Sequence, residues 1–93
     1  MRRAARVDDT QGEIVDAFRK CGASVLVLSA VGNGCPDLLV GAAFKNWLVE
    51  CKAQDGELTG EQVEFVTTWR GHPVAIIRSA VEAVSWLNSL RSP

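Results

Sequence analysis

Two apolar, β-rich runs, Asp37 to Gly41 and Asn46 to Lys52, are separated by only four residues, Ala42 to Lys45. A parallel pair of strands needs a crossover of a dozen residues or more, so a connection this short forces an antiparallel hairpin. The rest of the chain has to be arranged around that hairpin. In a 93-residue chain that leaves room for one small domain, spanning residues 1–93.

The flanking segments read as helices and further strands. Thr10-Gln11-Gly12-Glu13 has the Thr-x-x-Glu pattern of a capping box, followed by Ile14, Ala17, Phe18 and Cys21 at helical spacing, with Gly22 as the stop. A first helix is therefore expected from Thr10 to Cys21. Ser24 to Leu28 is a buried-strand candidate, and Val31 to Pro36 is a loop by its glycines, asparagine and proline. After the hairpin, Ala53 to Leu58 is a turn. Thr59-Gly60-Glu61-Gln62 repeats the capping pattern and opens a second helix carrying Phe65, Val66 and Trp69, stopped by Gly71. Pro73 to Ile77 is a fourth strand, reached by a right-handed crossover. From Ala80, the residues Val84, Leu87 and Leu90 mark a third helix. The order αβββαβα predicts an α/β (α+β) domain, a small mixed sheet flanked by helices.

Composition narrows the function classes. An apolar content of 47% suits a packed core, and net charge is −1, so the chain is no polycation that coats nucleic acid by bulk charge. Arg2, Arg3 and Arg6 make residues 1–8 a basic, flexible arm. No apolar run is long enough to span a bilayer, and no apolar stretch follows the basic N-terminus as a secretory signal requires. The expectation is a cytoplasmic protein with no membrane partner. Cys21, Cys35 and Cys51 are odd in number and far apart, so they read as buried or inert thiols rather than a disulfide framework. With His72 they lack the close pair of a zinc knuckle.

The hairpin also brings chemistry together. With Ala42 to Lys45 as its loop, Asp37 falls directly opposite Glu50, and cross-strand neighbours on one face have Cβ atoms about 5 Å apart. Two carboxylates that close repel unless a proton or a cation lies between them, and hard divalent cations take carboxylate oxygens. Strand alternation sends Glu50 and Lys52 to one face and Trp47, Val49 and Cys51 to the other. The main-chain carbonyl of Cys51 lies between the two and is a candidate further ligand. This set suits metal-assisted phosphodiester hydrolysis, with Lys52 orienting water and stabilising developing charge.

Gly34-Cys-Pro-Asp-Leu-Leu-Val-Gly41 followed by Glu50-Cys-Lys52 resembles the PD-(D/E)XK nuclease motif. Leu58-Thr-Gly-Glu-Gln62 and Trp69-Arg-Gly71 are similar to its VRR-NUC branch, found in viral and phage-associated proteins. The resemblance implies a restriction-endonuclease-like core and a Mg²⁺- or Mn²⁺-dependent DNA endonuclease. It implies catalytic roles for Asp37, Glu50, Lys52 and Gln62, and metal ligation by Asp37, Glu50, the Cys51 carbonyl and Glu13. Small members resemble Holliday junction resolvases, which implies branched DNA as substrate and a homodimer making two symmetric cuts. Cys51 stands where a valine or isoleucine is usual, and only its carbonyl would ligate.

Other readings stand beside these. Glu13 and Gln62 each follow a threonine by three residues and suit helix caps as well as site groups. Ser29 reads as a strand-end serine and His72 as a turn residue. Trp47, Trp69 and Trp86 read as core or interface residues rather than base-stacking platforms. A non-catalytic nucleic-acid-binding module on the same fold, or an RNA or tRNA nuclease, is the alternative function.

Overall fold

The computed structural model describes residues 6–92, with side chains from Asp9 onward. Its elements are α1 (Arg6–Lys20), β1 (Ser24–Val27), β2 (Leu38–Ala42), β3 (Lys45–Cys51), α2 (Gly60–Thr68), β4 (Ala75–Ile77) and α3 (Ala80–Arg91). This is the αβββαβα order, an α+β domain with one four-stranded mixed sheet in the order β1-β2-β3-β4. The first two pairings are antiparallel and β3 pairs with β4 in parallel, as the helical crossover through α2 requires. No helix among the described residues is long and apolar enough to cross a membrane.

The core lies on one face of the sheet. Leu38 and Val40 of β2, Val49 and Cys51 of β3 and Ile77 of β4 are buried there against Ile14 and Phe18 of α1 and Ala83 and Leu87 of α3. Trp86 sits edge-on to Phe18 at 5.8 Å and to Trp47 at 5.7 Å, closing the rim of this layer. Period-2 alternation then commits Asp37, Leu39, Leu48 and Glu50 to the opposite face.

Two expected boundaries are corrected. The first helix starts at Arg6, so Thr10 and Glu13 lie inside it and form no N-terminal capping box. The Thr-x-x-Glu pattern is a mid-helix coincidence. Of the basic arm, residues 1–5 lie outside the described residues, and residues 6–8 belong to α1. The C-terminal end matches expectation: Gly22, at φ 89°, donates to the Arg19 carbonyl and Ala23 to that of Phe18. That is a Schellman motif, with the left-handed residue supplied by glycine.

The second correction is the hairpin loop. Ala42 and Lys45 pair, leaving a two-residue turn of Ala43 (φ 54°) and Phe44 (φ 62°). Both residues are left-handed, the geometry that matches strand twist in the tightest hairpins. The register is unchanged by the shorter loop, since Leu38 still faces Val49. β1 is also not a buried strand. It is a sheet edge on which only Val25 is buried.

The loop before β2 is pinned by a close approach. A Cβ on Gly34 would lie 2.5 Å from the Glu61 carbonyl oxygen, and Gly34 has φ +79°. Gly32, at φ +78°, has nothing within 4 Å of such a Cβ. Gly32→Ala is therefore expected to cost only the left-handed backbone penalty, about 1–2 kcal/mol. Gly34→Ala adds a clash with main chain and should cost about 1–3 kcal/mol more. Urea unfolding of both variants measures the difference, and equal losses would show that the loop does not bear on α2.

Candidate active site

Continuing the β1–β2 and β2–β3 registers by one residue places Asp37 between Leu28 and Glu50. The main chain bears this out on one side, where the Leu28 N–H donates to the Asp37 carbonyl at 2.7 Å. On the other side the Asp37 carboxylate takes the place of a ladder carbonyl, accepting from the Cys51 N–H at 2.8 Å through Oδ2. The rotamer is thereby fixed and the carboxyl is held toward β3. The carbonyl of a strand residue leaves on the same side as its N–H, so the Cys51 carbonyl also faces Asp37. Lys52, one residue on, turns its N–H the other way, to Ile77 of β4 at 3.1 Å.

Glu50, on the sheet face opposite the core, is the buried charged residue among the described residues, 2% exposed. Its Oε2 accepts from Gln62 Nε2 at 3.0 Å and lies 4.0 Å from Lys52 Nζ. Burial raises its pKa most, and the charge of Asp37 and a side-chain hydrogen bond with it raise it further. Lys52 opposes them, leaving Glu50 pushed up to about 7. Glu50 and Asp37 sit at opposed positions of adjacent strands, and a divalent cation between them would relieve the repulsion that raises the Glu50 pKa. Cys35, in the loop before Asp37, feels the same field. Its thiol pKa is raised by burial and then by the charges of Glu50 and Asp37. Cys51 is pushed up to about 12 by burial and the same two charges. All three cysteines are free thiols.

Gln62 caps α2 and contacts Glu50 at once. Its Oε1 accepts from the Thr59 N–H at 2.8 Å while its own N–H donates to Thr59 Oγ1 at 3.2 Å, a complete capping box. The remaining end of the amide, Nε2, is the donor to Glu50. The cap thus holds the side chain that touches the carboxylate.

Glu13 stays apart from this cluster. It is exposed in mid-helix on α1, and no group of three His, Cys, Asp or Glu side chains converges on a metal-sized site among the described residues. A cation here would rest on Asp37, Glu50 and the Cys51 carbonyl. Three oxygens of that kind suit Mg²⁺ or Mn²⁺, which keep several waters as their other ligands. His72 also lies elsewhere, stacked on Trp47 at 4.2 Å, and Trp47 leaves the face opposite Glu50. Ser29 is exposed in the turn after β1.

One supporting residue is not readable as such from sequence. Arg78, just past β4, donates through Nη1 to the carbonyls of Ala53 at 2.8 Å and Gly56 at 2.7 Å. This closes the turn after β3 against which the Lys52 stem rests, 3.5 Å from the Cβ position of Gly56. In the sequence Arg78 is one scattered basic residue among several, and nothing local links it to a turn more than twenty residues upstream. No family model, curated protein or solved structure matches this chain.

Proposed function

We propose that the chain is a Mg²⁺- or Mn²⁺-dependent endonuclease that hydrolyses DNA phosphodiester bonds, with branched DNA as its substrate class. The observation that carries this reading is the buried Glu50, held beside Asp37 at the ends of adjacent strands with Lys52 and Gln62 on the same oxygen. A carboxylate buried against another carboxylate has a poor structural justification and is the kind of perturbed pair that marks functional sites.

A bound divalent ion would supply charge neutralisation at the scissile phosphate and a water of lowered pKa. The chain's own groups do the rest. Asp37 and Glu50, with the Cys51 carbonyl, would hold the ion, and the Cys51 N–H keeps Asp37 turned toward it. Gln62 fixes the Glu50 carboxyl. Lys52 provides a donor for the attacking water or the developing phosphorane charge. A site on one small domain makes one cut, so two symmetric cuts in a junction call for a homodimer.

The test is a panel of four-way junction, flap, single strand and linear duplex, with an RNA counterpart of each. It is run with Mg²⁺, Mn²⁺ or EDTA and read on denaturing gels. Cutting of branched DNA with either metal and none in EDTA is expected. Asp37→Ala removes a ligand and should abolish it. Binding without cutting in every arm would replace this reading by a non-catalytic module, and cutting confined to RNA would move the substrate. Light scattering at the assay concentration should give a dimer mass.

A further inference from the structure

The second helix carries, beside the residue that contacts Glu50, a cleft the proposed hydrolysis does not use. Phe65 follows Gln62 by three residues, so the two lie on neighbouring rows of α2. Its ring stacks on Trp69 at 5.1 Å with an interplanar angle of 14°, and Trp69 is 47% exposed instead of buried in the core. Phe65 is also a wall of a cleft of about 240 Å³, completed by Glu61, Glu64 and Thr68 of α2 and by Asn33 of the facing loop. The loop wall is fixed by the contact of Gly34 with the Glu61 main chain, and Asn33 itself is left-handed at φ 57°.

The chemistry of this cleft is specific. Its volume is below the roughly 300–1,000 Å³ of sites that enclose drug-sized ligands, so it seats one planar ring. No cation lines it, and two carboxylates do, which excludes a phosphate and favours a group that presents N–H donors. An aromatic wall backed by a second ring favours a flat π-system, because stacking on such side chains is available to every base. Arg70, exposed just beyond α2, is not among the walls of the cleft.

We infer that this cleft takes an unpaired nucleobase through its exocyclic amino edge, stacking it on Phe65 with Trp69 behind. This deepens the nuclease reading and rests on it: the substrate would present an unpaired, amino-bearing base next to the cut, as at a flap or an open junction. A paired base in a helix has both faces stacked on its neighbours, so perfect duplex is excluded from the cleft.

The experiment is anisotropy of labelled (dC)10, (dT)10 and a ten-pair duplex with the full chain in EDTA, where cutting is silent. Tightest binding to (dC)10 is expected, since thymine lacks the amino group. Phe65→Leu should weaken (dC)10 by about tenfold. Glu64→Gln, an exposed change that leaves the fold intact by thermal melting, should lower (dC)10 affinity to that of (dT)10. If Glu64→Gln instead tightens both oligonucleotides alike, the carboxylate only repels phosphate and the inference is overturned. Equal affinity for (dC)10 and (dT)10, or no effect of Phe65→Leu, overturns it too. Failure of the nuclease reading looks different: the binding pattern stands but no substrate in the cleavage panel is cut.

Discussion

Glu50→Gln is expected to raise the unfolding midpoint at pH 8 in EDTA while eliminating cleavage. The buried carboxyl titrates at about 7 in the fold against an ordinary value of 4.5. Below 4.5 it is protonated in both states and contributes no pH dependence. Between 4.5 and 7 the unfolded chain loses the proton first, so stability falls as pH rises, and above 7 it levels off. The full span corresponds to about 3 kcal/mol at most. Glutamine occupies the same space without charge, can accept from Gln62 and can donate to Asp37. Against that stands the loss of the Lys52 ion pair. The net expectation is about 1–3 kcal/mol, or roughly 5–15 °C for a domain this small. The gain should vanish at pH 4. Added Mg²⁺ should stabilise the wild-type chain, increasingly so above pH 7 as the carboxyl ionises, and leave Glu50→Gln unmoved. A variant less stable than wild type at pH 8 would mean that Glu50 is a structural partner whose ionisation the fold already accommodates.

That conflict between stability and a buried charge is also the part of the site most legible in the sequence. Asp37 and Glu50 stand out because the hairpin register and strand alternation can be deduced from apolar spacing alone. The two-residue turn could not be deduced, because Ala43 and Phe44 lack the Asn-Gly chemistry that usually marks left-handed turns. The register survived the error, since a loop two residues shorter adds one pair and shifts none. Gln62 is a cap, as its spacing from Thr59 suggests, and its amide still has a donor left over for the Glu50 carboxylate, a contact that spacing cannot show. Glu13 misled in the opposite way: the local Thr-x-x-Glu pattern is real, but α1 begins a turn earlier. Gly34 and Arg78 take their roles from contacts across the fold, with Glu61 and with the turn after β3. Trp69 read as core from its spacing, yet α2 ends at Thr68 and the indole lies half exposed against Phe65.

Lys52→Ala should reduce single-turnover cutting of the preferred branched substrate by about 10²–10³-fold, the loss seen when one preorganised donor to a developing charge is removed. The lysine is half-buried, its stem resting on the turn that Arg78 closes, so its ammonium is delivered to the site by the backbone and not by the ion pair. At 4.0 Å from Glu50 the pair itself is long, and its loss should change stability little. A melting curve close to wild type therefore separates a chemical role from a structural one. Removing the ammonium also removes a charge that lowers the Glu50 pKa. The residual activity should consequently need a higher pH than wild type to reach half its plateau, and Mg²⁺ should still raise the melting midpoint at pH 8.5. Lys52→Arg keeps the charge but replaces a compact donor with a planar fork, so it should recover the pH midpoint more fully than the rate. If Lys52→Ala cuts within threefold of wild type across the pH range, transition-state stabilisation has to come from elsewhere, and the ammonium would be only a counter-charge to Glu50.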